Sequence, residues 1–110
     1  MKFLLVLAAF FLSVSAHAYT AQCLLQIDGT TYINGDCNFS PHNDGTGSFS
    51  IGTDDPTSRY FAYVNIYDDV ALGYWNGVDG GSHAHTSLGE LKHNGACRFN
   101  DRAIICAWAK

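Results

Sequence analysis

The chain has 110 residues, 47% of them hydrophobic and 15% charged, and a formal net charge of −4. That apolar content excludes a disordered, self-repelling polymer. Six Lys and Arg against ten Asp and Glu exclude the clustered positive charge that nucleic acid and anionic membranes require of a partner.

The amino terminus has the layout of an export signal. Met1 and Lys2 form a short positive region, residues 3–14 are almost all apolar, and small residues follow at Ser15, Ala16 and Ala18. The apolar run is too short for a helix spanning a bilayer, which takes about 20 residues, so no membrane anchor is expected once it is cleaved. The small-x-small pattern Ala16-His17-Ala18 places the new terminus at Tyr19. Residues 1–18 are expected to be a signal peptide and residues 19–110 a single secreted or periplasmic β domain. Without Lys2 the mature chain keeps five basic residues against ten acids, an acidic balance suited to a basic partner.

A domain of this size buries only about two thirds of its unfolded surface, so covalent staples are valuable. Cys23, Cys37, Cys97 and Cys106 form an even set in a chain with an export signal, which predicts two disulfides. Their spacings are much wider than the C-x-x-C pairs of a zinc site.

Along residues 19–110 the recurrent pattern is period two. Residues 23–27 and 30–33 are β-rich and flank Asp28-Gly29, a dipeptide suited to a tight hairpin. Asn34-Gly35 offers a second reversal, into residues 37–40. After a loop rich in Asn, Asp, Gly and Ser, extended structure resumes over 47–51. Residues 59–67 give the longest strand signal, with Tyr60, Ala62, Val64 and Ile66 alternating with Phe61, Tyr63, Asn65 and Tyr67. Asp68-Asp69 turns the chain into 70–76, a glycine-rich loop covers 77–81, and extended runs at 83–93, 96–99 and 103–108 follow. About eight short strands in this pattern predict an all-β fold, a small antiparallel sandwich or barrel.

If Asp101 and Arg102 are the central residues of the last hairpin, Phe99 faces Ile104, Arg98 faces Ile105 and Cys97 faces Cys106. Opposed strand positions have Cβ atoms about 4.5–5.5 Å apart, close enough for a disulfide after small adjustment. Cys97–Cys106 is the expected bridge, and Cys23–Cys37 follows by elimination. Two ideal turns, at Asp28-Gly29 and Asn34-Gly35, would put a strand between Cys23 and Cys37, so all three connectivities stay open.

The one local pattern with metal character is His83-Ala84-His85, since an extended segment points both imidazoles to one face about 7 Å apart. A third ligand, from His42, His93 or a carboxylate, has no diagnostic spacing, and no cofactor is expected. Disulfide cysteines are not nucleophiles, and no serine sits in a G-x-S-x-G elbow. Asp54-Asp55 and Asp68-Asp69 read as turn formers rather than a glycosidase acid pair. Glu90 reads as a solvent-facing strand carboxylate. The glycine-rich segments lack the lysine and following helix of a phosphate cradle.

The aromatic supply is more informative. Tyr63, Tyr67, Tyr74 and Trp75, bordered by Asn65 and Asn76, lie on two consecutive predicted strands, where rings can form a face that anchors a protein or stacks on a sugar.

Several runs carry a resemblance: Leu24-Leu25-Gln26-Ile27-Asp28-Gly29, Gly47-Ser48-Phe49-Ser50-Ile51, Tyr60-Phe61-Ala62-Tyr63-Val64, Gly73-Tyr74-Trp75-Asn76-Gly77, Ser82-His83-Ala84-His85 and Ile104-Ile105-Cys106-Ala107-Trp108. Together they resemble a family of small exported bacterial proteins without an assigned activity, which implies export and one compact domain. Size, export and two disulfides are also similar to periplasmic lysozyme inhibitors built as small β barrels, whose motifs are absent here. The expected function is that of a non-enzymatic binding protein, an inhibitor or immunity-type partner of a basic envelope-active enzyme. The alternatives are a small metal protein or enzyme using His83 and His85, and a carbohydrate-binding module using Tyr63, Tyr74 and Trp75.

Overall fold

Alternating burial organises the first strand: β1 (Tyr19–Ile27) turns Ala21, Cys23, Leu25 and Ile27 inward and leaves the residues between them more exposed. The computed structural model describes residues 19–53 and 58–110. The expected signal peptide over 1–18 and the residues Asp54, Asp55 and Pro56 lie outside the described residues. Seven further strands follow in chain order: β2 (Thr30–Pro41), β3 (Phe49–Ile51), β4 (Ala62–Tyr67), β5 (Val70–Trp75), β6 (Thr86–Asn94), β7 (Cys97–Phe99) and β8 (Ala103–Ala109). Each pairs antiparallel with the next, and β8 pairs back onto β1, closing an eight-stranded barrel. Closure removes the sheet edges that a sandwich of the same strands would leave open.

Eight strands enclose an interior that side chains can just fill. Leu25, Ile51, Val64, Leu88 and Ile105 are fully buried there. Gly73 is part of that fit, because a Cβ at this position would meet Leu91 Cδ1 at 2.8 Å and Leu88 Cβ at 3.3 Å. The Cys23–Cys37 disulfide also lies among the core residues, whereas Cys97–Cys106 joins the directly opposed positions of β7 and β8.

Asn34-Gly35 is not a turn. β2 runs unbroken through it for twelve residues, with Gly35 at φ 140°, and pairs along all of β1. The segment 37–40, expected as a new strand, is its continuation. A nine-residue β1 needs a long partner, and this demand outweighs the local turn preference of Asn-Gly. A register shift between Leu25 and Gln26 leaves Tyr32 as an extra residue on β2, a bulge that sharpens strand twist.

Two strands begin later than their sequence suggests. β4 starts at Ala62 rather than 59, because residues 59–61 are held by the side chain of Asn76, and β6 starts at Thr86 rather than 83. Because β7 is only three residues long, it pairs with β6 only at Lys92–Asn94. The Asn100 side chain bridges the remaining gap: Nδ2 donates to the carbonyls of Leu88 and Glu90, and Oδ1 accepts from the amides of Arg102 and Ala103.

The meander puts segments 28–29, 52–53, 58–61, 76–85 and 100–102 at one end of the barrel, and 42–48, 68–69 and 95–96 at the other. The end that carries the long loops is called the mouth below.

Candidate functional site

Alternation along the β4–β5 hairpin sends one set of side chains out of the barrel. The register pairs Tyr63 with Tyr74, Asn65 with Leu72 and Tyr67 with Val70. Tyr67 is 77% exposed, Val70 38% and Leu72 37%, an unusual concentration of large apolar side chains on one short hairpin. Toward the mouth the face continues through Tyr63, which meets the Phe61 ring at 6.0 Å and the His42 ring at 5.8 Å.

Acids border these rings. Asp68 and Asp69 form the hairpin tip, with φ of 49° and 65°, the left-handed pair that a tight hairpin requires. Glu90 stands opposite Leu72 on the neighbouring strand. Three other acids are neutralised: Arg102 pairs with Asp28, Lys110 with Asp36 and Arg59 with Asp79, while Asp44 is held by Thr46 alone. No such partner serves Asp68, Asp69 or Glu90 among the described residues. Pairing therefore consumes three of the five Lys and Arg side chains among the described residues; Lys92, two residues along β6 from Glu90, carries no ion pair either, and the three acids Asp68, Asp69 and Glu90 outnumber it around Tyr67, Val70 and Leu72.

No family model, curated protein or solved structure matches this chain. The likeness to small exported bacterial proteins, and to lysozyme inhibitors, gains no support from these comparisons.

Of the residues expected to form one binding face, the structure brings together Tyr63, Asn65, Tyr67 and Tyr74. Trp75 is not among them. Next to the outward Tyr74 it points inward, 6% exposed, against Tyr32 at 4.6 Å and Tyr60 at 6.0 Å. Asn76 is equally buried and its side chain is spent on the fold: Oδ1 accepts from the Phe61 amide, and Nδ2 donates to the carbonyls of Arg59, Val78 and Gly81. Val70 and Leu72 were missing from the expected face, although they share the parity of Tyr74 along β5.

His83 and His85 lie in the loop before β6 rather than in an extended strand, and their rings stack 5.0 Å apart at an interplanar angle of 13°. Both are exposed, on the mouth loop. Among the described residues no group of three or more His, Cys, Asp or Glu side chains is placed to hold a metal ion.

The shifted titrations are all structural. The Arg102 guanidinium holds the Asp28 carboxyl below its ordinary range, mainly by hydrogen bonding, and Asp28 in turn raises Arg102. The Thr46 hydroxyl, bonded at 2.5 Å, and then the Thr46 amide lower Asp44. Asp79 raises Arg59 through the hydrogen bond between them.

Proposed function

We propose that this protein is exported after loss of residues 1–18 and acts outside the reducing cytoplasm as a non-enzymatic binding protein. Its partner is a basic protein, most concretely an envelope-active enzyme that it inhibits or neutralises, engaged through the outer face of β4–β5. The observation that carries this reading is the exposure of Tyr67, Val70 and Leu72 beside the unpaired acids Asp68, Asp69 and Glu90. Tyrosine-rich apolar centres ringed by charge are characteristic of protein interfaces, where the ring anchors and the charge steers.

The two disulfides are compatible with an oxidising extracellular or periplasmic location. A closed barrel stapled twice offers a rigid platform, which lowers the ordering cost of binding.

Surface plasmon resonance against a panel of basic lysozyme-type enzymes, with inhibition measured in parallel, tests the proposal. Binding is expected to weaken steeply with salt, and Tyr67→Ala to weaken it by about tenfold or more. Asp68→Asn with Asp69→Asn keeps the turn, because Asn tolerates the same left-handed backbone, and is expected to slow association. Binding indifferent to salt and to all three substitutions would sink the proposal.

A further inference from the structure

Near the end of the barrel opposite the mouth, β7 turns a charge inward. Arg98 stands opposite Ile105 of β8, which is fully buried in the barrel, and opposite His93 of β6. Directly opposed strand positions point to the same side of a sheet, so Arg98 shares the inner face with Ile105. Of the five Lys and Arg side chains among the described residues, four are exposed and Arg98 alone is half-buried. It has no ion pair and no hydrogen bond within the described residues, since Asp44, Asp68 and Asp69, the acids at this end, do not reach it. A guanidinium partly withdrawn from water without a partner is costly, and an anion beside it would offset that cost.

Arg98 lines a pocket of about 160 Å3. The facing wall is Gly47 and Phe49, at the start of β3, the strand that lies across an eight-stranded ring from β7. Phe49 stands opposite the fully buried Val64, which puts its ring on the inner face, where the Phe39 ring stacks on it at 5.2 Å. The β6–β7 turn closes a third side. There His93 Nε2 donates to the Gly95 carbonyl, because a carbonyl can only accept, and this bond holds the imidazole next to Arg98. The pocket thus joins one unpaired fork of N–H donors to one aromatic wall.

We infer that this pocket binds a small free monocarboxylate with an apolar body, its carboxylate on the Arg98 guanidinium and its body against Phe49. The planar guanidinium matches a carboxylate with two parallel N–H···O bonds. A cavity of about 150 Å3 holds benzene, so the body is about one ring in size. One cation, with the unpaired Asp68 and Asp69 on another turn at the same end, disfavours a multiply charged anion such as phosphate. Eight-stranded barrels are wide enough to hold one small ligand inside. The site is separate from the outer face of β4–β5, so either assignment can fail without the other.

Titrating isotopically labelled protein with sodium benzoate is expected to give saturable NMR shifts of the Arg98 Nε–H and of the Gly47, Gly95 and Ala96 amides, half-complete at millimolar concentration or below. Benzamide, which has the same shape without the charge, should bind about tenfold more weakly, and so should inorganic phosphate. Arg98→Met keeps an unbranched stem, removes the charge and should weaken benzoate by about tenfold or more. If that variant does not fold, the Arg98 Nε–H of the unaltered protein decides, with a shift expected for benzoate and none for benzamide. A short peptide ending in a free Phe carboxylate separates a chain terminus from a free acid: weaker binding than benzoate is expected, and tighter binding overturns the assignment to a free acid. No saturable response, equal binding of benzamide or phosphate, or benzoate affinity that survives Arg98→Met in a folded protein overturns the site.

Discussion

Cys37 lies diagonally across the β1–β2 ladder from Cys23, two residues beyond the Gly35 that stands directly opposite it. Both side chains point into the barrel, and their Cα atoms are 5.9 Å apart. The bridge therefore joins adjacent strands from the inside. Cys97 and Cys106, by contrast, are directly opposed, with Cα atoms 4.1 Å apart.

The two bridges close loops of similar size, with sequence separations of 14 and 9, so their effects on unfolded-chain entropy differ by only about 0.4 kcal/mol. Packing decides which matters more. Cys23 is fully buried and Cys37 nearly so; Cys106 is fully buried as well, but its partner Cys97 is only half-buried. Replacing Cys23 and Cys37 by Ala is expected to cost about 3–5 kcal/mol, and replacing Cys97 and Cys106 about 2–3 kcal/mol. Urea midpoints of the two double variants check the order, and the reverse order would contradict this account of the core.

Asn76 is expected to be the most sensitive polar position in the chain. Asn76→Ala strips partners from the Phe61 amide and from three carbonyls, a loss of about 2–4 kcal/mol. Asn76→Asp keeps the acceptor for Phe61 but turns a carboxylate toward the carbonyls of Arg59, Val78 and Gly81, so at neutral pH it should be at least as damaging. Thermal unfolding of the two variants, with hydrogen exchange at Phe61, distinguishes a polar hub from a tolerant loop residue.

The local chemistry of the chain announced much of this fold. Asp28-Gly29 and Asp68-Asp69 turn where their residue types predict, and the last hairpin has Asp101 and Arg102 at its centre, the condition that sets Cys97 opposite Cys106. Asn34-Gly35 misled because the same dipeptide is allowed in an extended strand, and only the length of β1 selects that outcome. Period two separates Tyr74 from Trp75, so their opposite directions were legible; grouping them by aromatic character alone hid it. Asn76 could not be read as a hub, because the β4–β5 register brings it beside Phe61 but only the folding of the loops at 59–61 and 77–81 turns the carbonyls of Arg59, Val78 and Gly81 onto its side chain. The exposure of Tyr67 was equally hidden: an alternating strand defines two faces but not which is covered.

Acid should loosen two surface tethers. The folded-state pKa values of Asp28 and Asp44 are depressed, by the Arg102 side chain and by Thr46 respectively. A depressed carboxylate contributes stability above its unfolded pKa, about 4, and loses it as pH falls through the lower folded value. Carboxyl carbon NMR titration is expected to place both midpoints below those of ordinary aspartates. Thr46→Val should move Asp44 back toward the ordinary range and leave Asp28 in place. Coincident shifts of both groups would show that the two tethers are not independent.

The tip of the β4–β5 hairpin sets stability against binding. Asp68 and Asp69 both hold left-handed backbone, which Asn-Gly adopts with less strain, so Asp68→Asn with Asp69→Gly should stabilise the barrel by about 0.5–1 kcal/mol. That corresponds to a rise in Tm of a few degrees. The same change removes two of the unpaired acids beside Tyr67, so affinity for a basic partner should fall and its salt dependence should flatten. Calorimetry and binding measured on one preparation test both halves. A variant that gains stability and keeps its salt-dependent affinity would move the charge that steers binding away from this tip.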